Sequence, residues 1–208
     1  MKKSILSFLL FTICNVSFAQ YQIPSKSFRV AIEANHVGGN ASGQAKAVKY
    51  SYIYSEQIKL SRWDYEISVG YINYYRKEKF SPFDYYYKGN HSQRVVGDAS
   101  ILYSILKKER HAFRIGLGPS VWYQRNGDVT NLSATTNGQQ IENLTFNRVY
   151  SSEFNVGANL KTDYEYLITP NLIVGLRAGV TTNFLTPDAR ASLLGTLSSV
   201  GVSVGYRF

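Results

Sequence analysis

The chain is poor in the residues on which disulfide bonds, thiol chemistry and many metal sites depend. Its single cysteine, Cys14, lies close to the N-terminus, in a segment that we expect to be removed. The rest of the sequence therefore excludes disulfides, cysteine nucleophiles and cysteine-ligated metals. It has only three histidines, without an HExxH motif or another paired metal-ligand spacing, and no glycine-rich phosphate loop. We predict no metal and no cofactor.

Long apolar runs are absent after the first twenty residues. Lys2 and Lys3 precede an apolar run over residues 5–16, and small residues then stand at the two positions that a signal peptidase reads, Ser17 and Ala19. We predict a cleaved signal peptide over 1–19 and a single mature domain over 20–208. No later segment approaches the roughly 20 apolar residues of a membrane helix. A lipoprotein anchored at Cys14 is disfavoured, because Ile13 precedes it where a small residue is expected.

The chain has a formal net charge of +9, but its charges are dispersed. Without a Lys/Arg-rich run, we expect no nucleic-acid partner, and contact with anionic lipid or lipopolysaccharide explains the basic balance better. Tyrosine is abundant, with 17 Tyr against 2 Trp. This composition favours strands with one lipid-facing side and aromatic belts at both interfaces.

The C-terminal ten residues alternate between apolar and polar side chains. Val200, Val202, Val204, Tyr206 and Phe208 fall on one face of a strand, opposite serine, glycine and arginine. An amphipathic strand that ends on an aromatic residue resembles the closing strand of a bacterial outer-membrane β-barrel. In that family, this strand end is also the signal read by the barrel-insertion machinery, which here implies a signal at Tyr206 and Phe208.

The resemblance covers the whole mature chain. It is to small outer-membrane barrels of Gram-negative bacteria, of the kind common in Bacteroidetes and similar in size to the OmpX and OmpA-barrel group. It implies an all-β, transmembrane, antiparallel up-and-down barrel, with no separate periplasmic domain after Phe208. We expect a monomer in the outer membrane.

Eight segments carry the apolar–polar alternation, and this number predicts eight strands. The predicted connections alternate between long ones, at about 37–45, 77–92, 125–145 and 183–192, and short ones, at about 59–61, 106–110 and 168–171. In outer-membrane barrels the short turns are periplasmic and the long loops extracellular, which would leave both termini periplasmic. Pro119 predicts a bulge or local bend in the fifth strand, because proline cannot donate to the ladder.

Aromatic residues cluster at both ends of the predicted strands and form two girdles. Those at the short-turn end are Trp63, Tyr103, Phe113, Tyr164, Tyr166, Tyr206 and Phe208, and those at the opposite end are Tyr50, Tyr75, Tyr123 and Phe146. A soluble lipocalin-like barrel, with its apolar face inward, is the alternative. The terminal Phe208, the girdles and the mixed charges among glycines on the polar face all oppose it.

If the polar face lines the lumen, the lumen holds charges of both signs. The predicted lumen residues are Arg29, Glu33, Lys49, Asp64, Glu66, Arg94, Asp98, Arg114, Glu153, Arg177 and Arg207. Eight strands enclose a space only wide enough for side chains, so these charges should pair. We interpret them as a structural plug. A narrow polar pathway with an ion gate is the alternative.

An enzyme that modifies lipid A would need a histidine–serine pair near the outer leaflet. His91 and Ser92 are adjacent, with Glu153 as a conceivable orienting group, but neighbouring strand residues point to opposite faces. The spacing of two residues that lipid A deacylases use is absent. His36, His91 and His111 belong to different strand ends and cannot share one metal ion. We predict no enzymatic activity.

The predicted loop over 77–92 carries aromatic and basic side chains suited to binding. The candidate binding residues are Phe80, Phe83, Tyr85, Tyr86, Tyr87 and Lys88. Such a surface could take glycan, lipopolysaccharide or a protein partner, or the residues could simply extend the barrel wall as a hairpin. The loop over 125–145 is rich in Asn, Thr, Gly and Gln and is predicted to be mobile. Function would then lie in surface binding, adhesion or envelope support, with a small-solute channel as the alternative.

Overall fold

The computed structural model describes residues 25–37, 45–58, 61–81, 85–138, 140–184 and 197–208. The predicted signal peptide and Phe83 lie outside these ranges. The strands are β1 (Lys26–Val37), β2 (Ala45–Gln57), β3 (Trp63–Phe80), β4 (Tyr85–Lys107), β5 (His111–Asn137), β6 (Gln140–Leu167), β7 (Leu172–Asn183) and β8 (Leu197–Arg207). Each strand pairs antiparallel with the next, and β8 pairs with β1, so the sheet closes into a barrel. The predicted eight-stranded up-and-down barrel is confirmed.

Closure occurs along the terminal strand that the sequence singles out. Val30 of β1 stands opposite Val204 of β8, in a register that continues over the length of β1. At the end of this ladder, Lys26 and Phe208 exchange backbone hydrogen bonds of 3.3 and 2.9 Å. The ladder therefore leaves neither β1 nor β8 as an open sheet edge.

The barrel is apolar outside and polar inside. On β1, Val30 and Ile32 are 40% and 51% exposed, whereas Arg29 between β1's apolar positions is 1% exposed. Leu117 and Val200 on the exterior are exposed by more than 65%. This arrangement is the reverse of a soluble ligand-binding barrel, whose apolar face points inward. The lipocalin-like alternative is therefore wrong for this chain.

Exposed aromatic side chains flank the exterior apolar band. At the short-turn end, Trp63 packs against Tyr103 with ring centroids 4.9 Å apart. At the opposite end, which we call the hairpin end, Tyr50, Tyr75 and Tyr123 are 41–54% exposed. In the described ranges, no helix has the length and apolar character needed to cross a bilayer.

Two of the predicted long loops are strands. Residues 77–80 form the end of β3 and residues 85–92 the start of β4, paired from Lys77↔Lys88 to Phe80↔Tyr85. Residues 125–137 and 140–145 belong to β5 and β6, which stay paired to Asn137↔Gln140 beside Gly138, a turn residue with φ of 63°. Since β2 pairs with β3 only up to Asn73, the ends of β3 and β4 project beyond it. The alternative that residues 77–92 extend the barrel wall as a hairpin is therefore confirmed. The assignment of both segments to loops was wrong, because strands that project beyond the barrel wall have no need for regular apolar–polar alternation.

Pro119 produces a gap in the ladder and not a bulge. The β4–β5 register is the same on both sides of the gap, at Asp98↔Ser120 and Ile101↔Leu117. Gly118 beside the proline lies so close to β4 that an added Cβ would stand 1.9 Å from the carbonyl oxygen of Ala99. The gap falls where the proline has no N–H to donate, next to this close approach of two backbones.

Candidate functional site

Arg29 lies at the centre of a buried ion network in the lumen. Its Nη1 atom is 2.6 Å from Asp163 Oδ2 and 2.6 Å from Glu165 Oε1, and its Nη2 atom is 2.7 Å from Glu66 Oε2. The side chains of Arg29, Glu66 and Asp163 are fully buried. The contacts to Asp163 and Glu66 are charge-assisted hydrogen bonds, which are among the strongest that side chains form.

The network continues through the other carboxylates on the lumen wall. Arg177 and Lys161 lie 2.8 and 3.1 Å from Glu66 Oε1. On the short-turn side, Arg114 Nη1 and Arg207 Nη2 lie 2.6 and 2.7 Å from the two oxygens of Glu165. These contacts link β1, β3, β5, β6, β7 and β8 across the lumen.

Two further carboxylates extend the network towards the hairpin end. Lys49 Nζ lies 3.4 Å from Asp98 and 3.9 Å from Glu33, and the Arg177 Nε atom lies 3.8 Å from Glu33. Asp98 also accepts hydrogen bonds from Ser68 and Ser120. The lysine ammonium is therefore held against the wall of the lumen and not at its centre.

Within the described chain, the network contains equal numbers of cations and carboxylates. They are Arg29, Lys49, Arg114, Lys161, Arg177 and Arg207 against Glu33, Asp64, Glu66, Asp98, Asp163 and Glu165. Burying one charge without a partner costs roughly several kcal/mol of folding free energy. A set with equal numbers of paired cations and carboxylates avoids this cost. The part of the lumen that holds this network therefore needs no external counter-ion.

Three members of the network escaped the sequence-based prediction. Lys161, Asp163 and Glu165 follow one another at every second position of β6, and all three are buried. The signal that would have found them is the continued alternation of β6 towards its short-turn end. Glu165 and Asp163 each contact three arginines.

Two predicted lumen residues lie outside the network. Arg94 is buried, but its Nη2 donates to the Tyr74 hydroxyl at 3.3 Å, and its guanidinium lies 5.8 Å from the centroid of that ring. Glu153 is exposed, because β7 pairs with β6 only up to Gly157↔Asn183 and leaves Glu153 beyond the barrel wall. The prediction that Glu153 is a lumen residue is therefore wrong.

An apolar layer lies inside the barrel on the hairpin side of the ion network. It consists of Ala47, Ile72, Val96, Trp122 and Leu197, each at most 6% exposed, with Tyr74 packed against it. These residues occupy inward positions where the sequence predicts polar side chains. The interior thus contains a charged layer and an apolar one.

His91 and Ser92 diverge as adjacent strand residues should. The His91 ring stacks on Tyr75 at 4.2 Å and shares a 2.7 Å hydrogen bond between its Nε2 and Asn73 Oδ1. The Ser92 hydroxyl donates to Asn126 Oδ1 at 2.8 Å. The two groups have separate partners and form no nucleophile–base pair. Among the residues that the structure covers, no group of three or more His, Cys, Asp or Glu could hold a metal ion.

The predicted binding residues over 80–88 lie on the β3–β4 hairpin. Tyr85 and Tyr86 are 41% and 56% exposed, and Lys77 Nζ lies 4.5 Å from the centroid of the Tyr86 ring. Tyr87 faces the other side, where its hydroxyl donates to Glu78 at 3.0 Å. Its partial burial and this carboxylate raise the pKa of Tyr87. Phe80 pairs with Tyr85 at the tip. One face of the hairpin therefore presents Tyr86 with Lys77 and Lys88, and the other carries Tyr85 and Tyr87.

The sequence matches no protein-family model and no curated protein. Solved structures, in contrast, share its architecture. The attachment invasion locus protein Ail of Yersinia pestis has a TM-score of 0.55 at 11% identity, over 89% of this chain and 99% of that one. Neisserial surface protein A has a TM-score of 0.55 at 13% identity, over 88% and 97%. A major outer membrane protein of Thermus thermophilus has a TM-score of 0.56 at 14% identity, over 88% and 100%.

These identities are too low to transfer an activity, but the likeness spans almost the whole of each compared barrel. Strand number, closure and the exterior apolar band agree with it. The chain has the fold of the small eight-stranded outer-membrane β-barrel proteins.

Proposed function

We propose that this protein is a non-enzymatic barrel of the outer membrane, with a plugged lumen, that acts through its hairpins at the cell surface. The observation that carries the proposal is the balanced, buried ion network around Arg29, stacked under the Trp122 layer. A lumen filled in this way offers no continuous space for a solute. We therefore expect the function to lie in the β3–β4 and β5–β6 hairpins, which project from the barrel.

The exterior of the barrel supports a location in a lipid bilayer. Its apolar side chains are exposed, as with Leu117 at 68%, and aromatic residues border them at both ends. In outer-membrane barrels such a band is about 25 Å tall and faces the acyl chains. The Gram-negative, Bacteroidetes-type envelope that the sequence suggests, with its lipopolysaccharide, would surround this band.

The short-turn end faces the periplasm in this proposal, and the two hairpins face outward. A signal peptide over 1–19 directs export, and the strand end at Tyr206 and Phe208 is read by the insertion machinery. The β3–β4 hairpin, with Tyr85, Tyr86 and Lys88, is the binding or adhesion surface for a ligand at the cell surface, and the barrel is a monomer. A narrow channel is disfavoured because both closures would have to open.

Location and orientation can be tested with cysteines, since Cys14 is the only native one. We would place a cysteine in the β5–β6 turn (Gly138→Cys) or in a short turn (Lys108→Cys). Intact cells would then be treated with a membrane-impermeant maleimide. The proposal expects labelling of the first variant in intact cells, and of the second only after the outer membrane is opened. The reverse pattern would refute the orientation.

Binding by the β3–β4 hairpin needs a separate test. Replacing Tyr85 and Tyr86 by serine removes the exposed rings while leaving the inward Tyr87–Glu78 contact in place. Cells that display this variant should adhere less to a surface that the wild type binds. Equal adhesion by the two would place the binding surface elsewhere.

A further inference from the structure

Two cations converge on one exposed aromatic ring at the hairpin end. Lys88 Nζ lies 5.5 Å and Arg148 Cζ lies 5.6 Å from the centroid of Tyr75, and Arg148 also lies 4.9 Å from the ring of Phe146. Neither cation forms an ion pair with a carboxylate in the described part of the chain. An aromatic ring attracts a cation but carries no net charge, so neither cation gains a counter-charge from Tyr75.

The backbone holds this pair of cations in place. The β3–β4 register shifts between Tyr75 and Lys77, which brings Lys88 towards Tyr75. Arg148 Nη2 donates to the carbonyl oxygens of Lys88 and Gly89 at 2.9 and 3.1 Å. Arg148 reaches these oxygens from β6, across β5, and so ties the two hairpins together. Its Nε atom is buried without a hydrogen-bond partner.

A third cation lies on the same side of the barrel. Arg125 stacks over the Tyr150 ring, with its Cζ 4.5 Å from the centroid. Gly127 makes room for this ring, since a Cβ added there would lie 2.8 Å from Tyr150 Cε1 and 3.6 Å from Arg148 Cδ. We call Tyr75, Lys88, Arg125, Arg148 and Tyr150 the Tyr75 patch.

The position of the Tyr75 patch on the barrel indicates which kind of anion its cations would bind. Tyr75 and Tyr150 are 41% and 51% exposed, and below them on the same exterior face lie Tyr71 and Val95, which are also exposed. In the orientation proposed above, the patch therefore sits where acyl chains give way to the headgroups of the outer leaflet. Aromatic rings favour this depth, and guanidinium groups bind phosphate through paired hydrogen bonds.

We propose that the Tyr75 patch binds the phosphate monoester groups of lipopolysaccharide lipid A in the outer leaflet. This inference rests on the proposed membrane location and adds the ligand chemistry of one surface. The phosphate neutralises Lys88 and Arg148 together, while Tyr75 and Tyr150 pack against the glycolipid backbone. Bound lipid thus joins the two hairpins at their base.

The test uses the folded protein in phosphatidylcholine nanodiscs that contain graded amounts of bis-phosphorylated lipid A. Native mass spectrometry counts the lipid A molecules that each barrel retains. The double variant Lys88→Gln/Arg148→Gln should bind lipid A about thirtyfold more weakly, from the typical contribution of two basic residues at an anionic surface. The matched control is Arg62→Gln/Lys108→Gln, which removes one arginine and one lysine that are exposed at the short-turn end.

Equal loss in the two double variants would overturn the proposal, because net charge would then explain the binding. Equal retention of lipid A without phosphates, or of phosphatidylglycerol, would also overturn it. So would binding of a soluble sulfated polysaccharide to the patch in place of lipid A. The heat-dependent gel migration of a folded barrel verifies that each variant has folded.

A variant that keeps every charge but moves the side chains of the Tyr75 patch tests whether binding depends on their geometry as well as on their charge. Gly127→Ala should displace Tyr150 and Arg148 and weaken lipid A binding severalfold. Gly97→Ala is its control, since an added Cβ there meets only Val121, with Cγ2 at 3.5 Å. Unchanged binding in Gly127→Ala would contradict the patch geometry. Failure of the cysteine-labelling test would instead refute the proposed orientation, whatever the patch binds.

Discussion

Arg29 and Glu66 meet inside the lumen through a 2.7 Å contact between Nη2 and Oε2, with both side chains fully buried. They belong to β1 and β3, which are not neighbours in the sheet. The pair therefore bridges the interior and does not run along the wall. Glu66 also accepts from Lys161 and Arg177, so one carboxylate contacts three cations.

Removing the Glu66 carboxylate should destabilise the barrel strongly. Glu66→Ala leaves Arg29, Lys161 and Arg177 short of a partner, and breaking a buried pair typically costs about 3–5 kcal/mol. The measurement is the free energy of unfolding in urea, with the protein folded in lipid vesicles. The control is Glu153→Gln, where the side chain is exposed and the change should stay within about 0.5 kcal/mol. Similar losses at both positions would contradict the two placements.

The close approach of β5 to β4 at Gly118 should make that glycine indispensable. A Cβ at Gly118 would lie 1.9 Å from the Ala99 carbonyl oxygen and 2.7 Å from Ser100 Cα, so the backbones would have to separate. We expect Gly118→Ala to lower the free energy of unfolding by roughly 1–3 kcal/mol, as overpacking does. Gly97→Ala should have little effect. Equal stability of the two variants would show that the strands can part freely.

The apolar layer and the ion network should act as independent closures. Trp122→Ala removes the largest side chain of the layer and should cost about 3–5 kcal/mol in unfolding free energy. Because the network around Arg29 stays intact, this variant should still pass no ions across a planar bilayer. Steady current through Trp122→Ala alone would show that the tryptophan, and not the network, closes the lumen.

The projecting part of the β5–β6 hairpin should be dispensable for the barrel. Beyond Gly127↔Tyr150, residues of β5 pair with β6 only, within the described chain. Replacing residues 131–146 by a two-residue turn should therefore change the unfolding free energy by less than about 1 kcal/mol. Urea titration of the shortened chain tests this, and failure to fold would mean that the hairpin stabilises the barrel.

The sequence predicts the barrel well because every wall strand has one apolar and one polar face. The alternation of Val200 to Phe208 identifies the last strand, and the terminal Phe208, the aromatic girdles and the mixed charges on the polar face favour the apolar side as the outward one. With that choice of sides, alternation also places Arg29 and Glu66 in the lumen. The partners of Arg29 do not follow from alternation, since Asp163 is 134 residues away and meets it only through the register of the closed sheet.

The features that the sequence did not predict have physical causes of their own. Trp122 and Ile72 occupy inward positions, so a rule that assigns apolar side chains to the exterior cannot find the apolar layer. The hairpins resemble loops in sequence because water reaches both of their faces, and strands such as residues 128–137 then carry no alternation. Lys88 approaches Tyr75 through a β3–β4 register shift that no local pattern reveals.

The central claim is that the lumen is closed, and single-channel conductance of the folded mature chain in a planar bilayer tests it most directly. We predict that the wild-type protein passes no measurable current. Gel migration verifies that the protein is folded, and protease protection verifies that it is inserted in the bilayer. Steady, reproducible openings of the wild-type protein would contradict the closed lumen and would assign the buried charges around Arg29 to an ion pathway.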